Sequence, residues 1–176
     1  MRLTPNPLES LPSSLRERAE RVSNLAQARH MTVATVESCT AGSLAHLLAQ
    51  APGATETLQG GFVVYTKENK MAAVGVPRDL LAAHTAVSAE VAQAMAEGGL
   101  ARCPADIVVA ITGVAGPEPD EDGNPVGLVF VAAVSRDGRK LFVPHQFGEK
   151  SKEAICSAAM NAAIDLVEEL LNEQVP

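Results

Sequence analysis

The stretch MTVATVESCTAGSLAHLL, residues 31–48, decides the fold of this chain. Its first part, MTVATVE, is mostly apolar and rich in β-branched residues, which predicts a buried strand. The small and polar residues 38–43 predict a tight turn, and LAHLL, residues 44–48, has the spacing of a helix. A strand, a tight turn and a helix start thus follow one another directly, which is typical of an α/β protein.

Outward from this stretch, helical and strand patterns alternate. Helices are predicted over residues 14–28, 67–74, 89–102 and 151–173, with a brief helical piece after Pro77, and strands over residues 60–66, 105–113, 127–135 and 140–147. The dipeptide Asp137-Gly138 predicts a hairpin between the last two strands. We therefore expect a three-layer α/β/α domain over residues 13–176, with a mixed, mostly parallel sheet of about five strands. Residues 1–12 contain three prolines and are expected to form a flexible N-terminal arm.

The composition excludes several classes of function. The 176 residues include 14 Lys and Arg against 21 Asp and Glu, a formal charge of −7, so the chain lacks the basic surface that binds nucleic acid. The three cysteines are far apart and form no CxxC pair, which argues against a disulfide framework and a structural zinc site. No apolar run approaches the ~20 residues that span a membrane. We expect a cytoplasmic protein with no nucleic-acid or membrane partner.

Ser38 is the first candidate for catalysis because it directly follows the buried strand. Backbone N–H groups at the start of the next helix could stabilise the oxyanion that forms when such a serine attacks a carbonyl. The alternative is that Ser38 or Thr40 only caps the helix, as serine and threonine often do. Cys39 is a rival nucleophile at the same helix start, although adjacent side chains point in different directions.

A nucleophilic serine needs a base, and none of the four histidines stands in an obvious motif. Lys70, in the segment after the second predicted strand, is the better candidate, with Tyr65 five residues before it. A lysine base requires a pKa lowered by burial or by a neighbouring cation. The alternative is that Lys70 is a solvated helix residue, and Lys67 is a more exposed competitor.

A glycine-rich loop, TGVAGP, follows the most strand-like segment at residues 112–117. Its N–H groups are suited to a phosphate or a carboxylate. The acidic run at residues 120–122 has no histidine beside it, so a solvated loop tip is favoured over a metal site. We expect neither a metal nor a cofactor. Because both this loop and the turn at residues 38–43 follow strands, we expect them to share one site.

Several segments together resemble the CinA C-terminal domain family. They are VESCTAGSL (36–44), GGFVVYTKENKMAAVGV (60–76), HTAVSAEVAQAMAEG (84–98), ITGVAGPE (111–118) and PVGLVFVA (125–132). Their order and spacing make the resemblance more specific than any one glycine-rich loop. Many family members also carry an N-terminal molybdopterin-binding-like domain, for which this chain has no room, so the stand-alone form is expected.

The resemblance implies an amidohydrolase of pyridine nucleotide salvage, which converts nicotinamide mononucleotide to nicotinate mononucleotide and ammonia. Ser38 is then the nucleophile, Lys70 its base, and Tyr65 and Thr112 are nearby polar groups. Substrate contacts are expected from the turn and from the glycine-rich loop, together with one lysine: Thr40, Ala41, Gly42, Thr112, Gly113, Gly116 and Lys150.

Two departures from the family pattern concern the substrate. Pro119-Asp120 stand where members usually have two glycines, and Gly148-Glu149-Lys150 replaces a frequent Gly-Asp-Arg, with Cys156 at the place of a second Arg. Lysine keeps the charge of arginine but not its bidentate geometry. Two alternatives stay open: a non-catalytic nucleotide-binding module of the same fold, and an amidase for another small amide. A domain this small with such apolar helices is also compatible with a homodimer.

Overall fold

The computed structural model describes residues 12–172, so the predicted arm lies almost wholly outside the described residues. Seven helices and five strands are found in this range. In chain order they are α1 (Ser13–Arg29), β1 (Val33–Glu37), α2 (Ser43–Ala49), α3 (Ala54–Thr57), β2 (Leu58–Val63), α4 (Lys67–Val74), α5 (Arg78–His84), α6 (Ala89–Arg102), β3 (Ile107–Gly113), β4 (Leu128–Ser135), β5 (Lys140–Gln146) and α7 (Lys152–Asn172).

The five strands form one mixed sheet in the order β2-β1-β3-β4-β5. Strands β2, β1 and β3 run parallel to one another and are connected by helices. On the other side of the sheet, β4 is antiparallel to β3, and β5 is antiparallel to β4. The predicted hairpin joins β4 to β5. The parallel strands β1 and β3 are the central ones, and their carboxyl ends, at Glu37 and Gly113, lie at the same edge of the sheet.

Helices cover both faces of the sheet and create two apolar clusters. One cluster joins α1, α2 and α7 to one face, and the other joins α4, α5 and α6 to the opposite face. Alternate residues of β3 explain this division, since Ile107, Val109 and Ile111 point into the first cluster and Val108 and Ala110 into the second. The α/β/α prediction is confirmed.

Several element bounds differ from the sequence-based expectation, since β1 begins at Val33 rather than residue 31 and β3 at Ile107 rather than residue 105. Strand β2 covers residues 58–63 rather than 60–66, because the chain after Val63 leaves the sheet to begin α4, with Thr66 as its N-cap. The four-residue helix α3 was not predicted, since one turn is too short to show a period. The last helix was predicted from residue 151 and begins at Lys152. Within the described residues, no helix is long and apolar enough to cross a membrane.

The packing of α6 against α4 requires a glycine at position 98. A Cβ atom built on Gly98 would lie 1.8 Å from the carbonyl oxygen of Val74, the last residue of α4. Only glycine allows two backbones to approach this closely. The position of α4, and of the side chains on it, therefore depends on Gly98.

Candidate active site

The turn after β1 places Ser38 at the carboxyl edge of the sheet. Ala41 and Gly42 both have left-handed backbone conformations, with φ of 49° and 93°, and together they reverse the chain into α2. The N–H of Ser38 donates to the carbonyl of Ile111 in β3 at 3.0 Å, which holds the serine against the neighbouring strand. The Ser38 side chain is nearly buried, with 7% of the residue exposed.

The N–H groups at the start of α2 are occupied by the side chain of Glu37. Its Oε2 accepts from the N–H of Gly42 and of Leu44, each at 3.0 Å, and its Oε1 accepts from the N–H of Ala45 at 2.8 Å. These donors were the ones that the sequence suggested for an oxyanion, and Glu37 makes them unavailable for it. Any oxyanion donors must therefore come from elsewhere in the turn.

Lys70 reaches Ser38 from the opposite side of the turn. It lies in the second turn of α4, only 1% exposed, and its Nζ is 2.9 Å from the Oγ of Ser38. The same Nζ donates to the carbonyl of Val64 at 3.0 Å and is 3.5 Å from that of Tyr65. The interpretation of Lys70 as a solvated helix residue is therefore wrong.

These contacts suit both protonation states of the amine: the ammonium donates its three N–H bonds to Ser38 Oγ and to the two carbonyls, and the neutral amine keeps the two carbonyl contacts. Burial is the main cause that lowers the pKa of Lys70 from 10.5 to about 8, and the nearby charge of Lys67 acts in the same direction. A neutral amine has two N–H bonds and one lone pair. The carbonyls of Val64 and Tyr65 can accept the two N–H bonds, which leaves the lone pair for the hydroxyl proton of Ser38. The arrangement is that of a serine with a lysine base.

A cavity of about 480 Å³ opens above this pair. Its walls come from the Ser38 turn, the start of α4, the segment before α6 and the loop after β3. Tyr65 lies on the wall with 60% of its surface exposed. The volume is in the range of small-molecule sites, so the pair faces a space that can hold a substrate.

The loop after β3 contributes a second wall, as the sequence suggested. Thr112, Gly113 and Gly116 all line the cavity. The hydroxyl of Thr112 donates to the carbonyl of Ala86 at 2.7 Å, so it fixes the segment before α6 rather than pointing freely at a ligand. The turn and the glycine-rich loop thus share one site, as expected from their positions after β1 and β3.

The acidic run forms the mouth of the cavity and is tied to α4. Lys67 Nζ lies 2.7 Å from a carboxylate oxygen of Glu121 and 2.8 Å from one of Asp122. These carboxylates, Asp122 first, raise the pKa of Lys67. Lys67 therefore stays protonated and holds the loop, while Lys70 alone contacts Ser38. In the described part of the chain no group of three or more His, Cys, Asp or Glu side chains is arranged to hold a metal ion.

Some of the predicted site residues do not reach the cavity. Thr40, Ala41 and Gly42 belong to the turn but are not on the cavity wall. Lys150 is exposed and also lies away from the wall, since the chain turns at Gly148 before α7 begins. The cation that does line the cavity from this region is Lys152, the first residue of α7.

Cys39 is excluded as the nucleophile by its surroundings. It is 6% exposed and packs in the apolar cluster with α1, α2 and α7. Burial raises the pKa of its thiol to about 12, so the reactive thiolate does not form near neutral pH. Ser38 contacts Lys70, whereas Cys39 packs in this apolar cluster.

Sequence reasoning missed two residues of the site. Glu37 was treated as the end of a strand, although a carboxylate in an otherwise apolar buried segment needs hydrogen-bond partners and thereby signals a special role. Lys152 was passed over in favour of Lys150. No local signal separates two exposed lysines that flank a helix start.

The comparisons with known proteins identify the family of this chain. The model of the CinA C-terminal domain matches residues 15–171, which is nearly the whole described range. The chain belongs to the CinA C-terminal domain family. A "CinA-like protein" of Chloroherpeton thalassium is 39% identical over 155 residues, which are 87% of this chain and 37% of that protein. Another, from Mycobacterium sp. strain JLS, is 46% identical over 108 residues, 61% of this chain and 26% of its own length. The chain thus spans between 26% and 37% of the length of these CinA relatives.

Solved structures of the CinA superfamily match over their whole length. The competence/damage inducible protein CihA of Agrobacterium tumefaciens has a TM-score of 0.88 at 33% identity, with 98% of this chain and 100% of that chain covered. The competence damage-inducible protein A (ComA) of Klebsiella pneumoniae has a TM-score of 0.85 at 34% identity, covering 91% and 99%. The fold and the family resemblance predicted from the sequence are both confirmed.

Proposed function

We propose that this chain is an amidohydrolase that converts nicotinamide mononucleotide to nicotinate mononucleotide and ammonia. The observation that carries the proposal is the 2.9 Å contact between Lys70 Nζ and Ser38 Oγ at the floor of the cavity. A serine beside a buried amine with a lowered pKa is an activated nucleophile for acyl transfer. The family resemblance supplies the substrate.

The first half of the reaction forms an acyl-enzyme. Ser38 Oγ attacks the carboxamide carbon while its proton moves to Lys70 Nζ. The protonated Lys70 then gives this proton to the departing nitrogen, and ammonia leaves. In the second half a water attacks the ester, Lys70 takes a proton from it, and Ser38 recovers its proton as nicotinate mononucleotide is released.

The oxyanion needs donors other than those held by Glu37. The N–H groups of Cys39 and Thr40 follow Ser38 directly, and neither donates to another residue within residues 12–172. The N–H of the residue after a nucleophile is a common oxyanion donor. We assign this role to these two amides.

The substrate's charges have counterparts on the cavity wall. Its phosphate fits Lys152 at the N-terminus of α7, where the N–H groups and the side chain both favour an anion. Its pyridinium cation fits the acidic mouth, which includes Glu118 and Asp120. A cationic ring beside the reacting amide also makes the carbonyl more electrophilic and keeps the pKa of the neighbouring Lys70 low.

The test is ammonia release from nicotinamide mononucleotide by the purified protein, without added metal. Wild type should turn over, and Ser38→Ala should lose at least roughly 10³-fold in kcat, as removal of a nucleophile does. Ser23→Ala is the matched control, because Ser23 is a buried serine hydrogen-bonded to Pro52 in another part of the fold. Tight nucleotide binding without ammonia release would replace this proposal with a non-catalytic binding module, and release from other amides alone would change the substrate.

A further inference from the structure

We infer that Glu37 is a positioning residue for Ser38: its buried carboxylate fixes the turn on which the nucleophile stands. The inference rests on the role of Ser38 in the proposed function, but not on the identity of the substrate. Glu37 is the residue before Ser38 and is fully buried, yet its side chain faces away from the cavity. It therefore acts on the reaction through the turn.

Four donors converge on the Glu37 carboxylate. Three are the N–H groups of Gly42, Leu44 and Ala45, and the fourth is the hydroxyl of Thr35, which donates to Oε1 at 2.9 Å. Each oxygen accepts two hydrogen bonds. A fully paired buried carboxylate is a rigid element, since moving it leaves several buried donors without partners.

These bonds close the turn into a ring that contains Ser38. The ring runs along the chain from Glu37 through Ser38 to Ala45, and back through the side chain of Glu37. The left-handed residues Ala41 and Gly42 lie inside it. Ser38 therefore cannot shift without breaking contacts at the start of α2.

The main chain of Glu37 also links the nucleophile to its base. Its carbonyl accepts from the N–H of Val64 at 2.8 Å, and the carbonyl of Val64 accepts from Lys70 Nζ at 3.0 Å. The side chain of Glu37 thus holds the turn of Ser38, while its backbone holds the anchor of Lys70. One residue sets the relative position of the two reacting groups.

A carboxamide at position 37 tests this role. Glu37→Gln keeps the size of the side chain, but one of its two terminal atoms becomes a donor, which faces N–H groups that also donate. The Thr35 hydroxyl can accept from this amide, whereas the N–H of Ala45 on the same side cannot, so at least one of the three N–H contacts of the turn is lost. A displacement of about 1 Å of a reacting group costs roughly 10²-fold in rate.

The experiment measures Ser38 directly and does not depend on the natural substrate. A fluorophosphonate reagent forms a bond between phosphorus and Ser38 Oγ, fluoride leaves, and the hydroxyl proton passes to Lys70. Its labelling rate is measured for wild type, Glu37→Gln and Glu37→Asp, with Ser38→Ala as the blank. On the same samples, kcat and KM for nicotinamide mononucleotide and the folded fraction are determined.

We expect labelling and kcat of Glu37→Gln to fall roughly 10²-fold with KM within about threefold, and Glu37→Asp to recover part of the rate. The pH at half-maximal kcat should stay the same, because burial and the charge of Lys67, and not Glu37, lower the pKa of Lys70. Ser23→Ala should lower the thermal midpoint without changing either rate. Wild-type rates per folded molecule in Glu37→Gln would overturn the inference, as would a wild type whose Ser38 is not labelled.

A second variant covers the case that Glu37→Gln does not fold. Thr35→Val removes only the hydroxyl bond to Oε1 in a fully buried position, with little change of volume. We expect a several-fold lower labelling rate, and an unchanged rate would contradict the inference. If labelling depends on Glu37 while nicotinamide mononucleotide is not hydrolysed, the proposed substrate fails and the role of Glu37 stands.

Discussion

The Nζ of Lys70 and the Oγ of Ser38 lie 2.9 Å apart, although 32 positions separate the two residues in the chain. They meet because β1 and β2 run parallel, so that the turn after one strand and the helix after the other emerge at the same edge of the sheet. The contact places a titratable amine in a buried position. Both the activity and the stability should therefore depend on pH.

The first prediction concerns the pH dependence of the reaction. Only neutral Lys70 can accept the Ser38 proton, and the pKa of Lys70 is about 8. We expect kcat/KM, which reports the free enzyme, to rise with pH and to reach half of its plateau near pH 8. A profile of ammonia release between pH 6 and about 9.5 checks this, with the range chosen to bracket that pKa. A profile that is flat across pH 8 would contradict the role of Lys70 as the base.

The second prediction concerns stability. The pKa of Lys70 is lower in the folded chain than its ordinary value of 10.5, so between pH 8 and pH 10.5 the unfolded chain binds more protons. The free energy of unfolding contributed by this group therefore rises with pH in that window, by roughly 3 kcal/mol in all. Lys70→Met removes this contribution and should also be inactive.

Urea unfolding of wild type and of Lys70→Met at pH 7.5 and at about 10 measures this contribution, because most of the pH window lies between these two values. The free energy of unfolding of the wild type should increase relative to that of Lys70→Met as pH rises. Lys140→Met is a control, because that lysine is half exposed and paired with Glu97 on the surface. An unchanged difference between the two pH values would refute the prediction.

The third prediction concerns Lys67, which lies near Lys70 and is paired with two carboxylates. Lys67→Met removes a positive charge and leaves Glu121 and Asp122 without their partner. Both changes favour protonated Lys70, so the pH at half-maximal kcat should move upward by about half a unit. The pH–rate profile is the measurement. A shift to lower pH would contradict it.

The fourth prediction compares two lysines at the start of α7. Lys152 lines the cavity and Lys150 does not. A hydrogen bond to a charged group contributes about 1.5–3 kcal/mol, so Lys152→Ala should raise KM for nicotinamide mononucleotide at least roughly tenfold, whereas Lys150→Ala should leave it within about twofold. The phosphate-free riboside should show no difference among the three proteins. Equal effects of both lysines would place the phosphate elsewhere.

The fifth prediction concerns the contact between α6 and α4. Gly98→Ala would put a methyl group 1.8 Å from the carbonyl oxygen of Val74, so the helices must separate. We expect the free energy of unfolding to fall by about 1–3 kcal/mol. Ala101→Ser, at an exposed position of the same helix, should change it by no more than about 0.5 kcal/mol. Chemical denaturation of both variants is the measurement, and equal stabilities would contradict it.

The sequence predicted those parts of the fold that depend on local pattern. The apolar run of β3 and the Asp137-Gly138 turn before β5 are strong signals over a few residues, and both elements lie where expected. Ser38 could be singled out because the boundary between β1 and the turn is equally local. The order and spacing of several such motifs then showed the resemblance to the CinA C-terminal domain family.

The features that could not be predicted from the sequence depend on contacts between distant segments. The burial of Lys70 is not visible in the sequence KENKM, because it is created by Ser38, Val64 and the sheet edge. The shift of β2 has the same origin, since the end of an edge strand is decided by where α4 must begin. The preference for Lys152 over Lys150 depends on the direction in which the chain enters α7.

Tyr65 gives the protein a fluorescent reporter on the wall of the cavity. It is the single tyrosine of the chain, and the chain contains no tryptophan, so the emission excited at wavelengths that phenylalanine does not absorb comes from one ring on the cavity wall. A pyridinium ring close to Tyr65 would accept an electron from the excited phenol and quench this emission. Occupancy of the cavity can therefore be followed in real time, without a label, even in variants that no longer react.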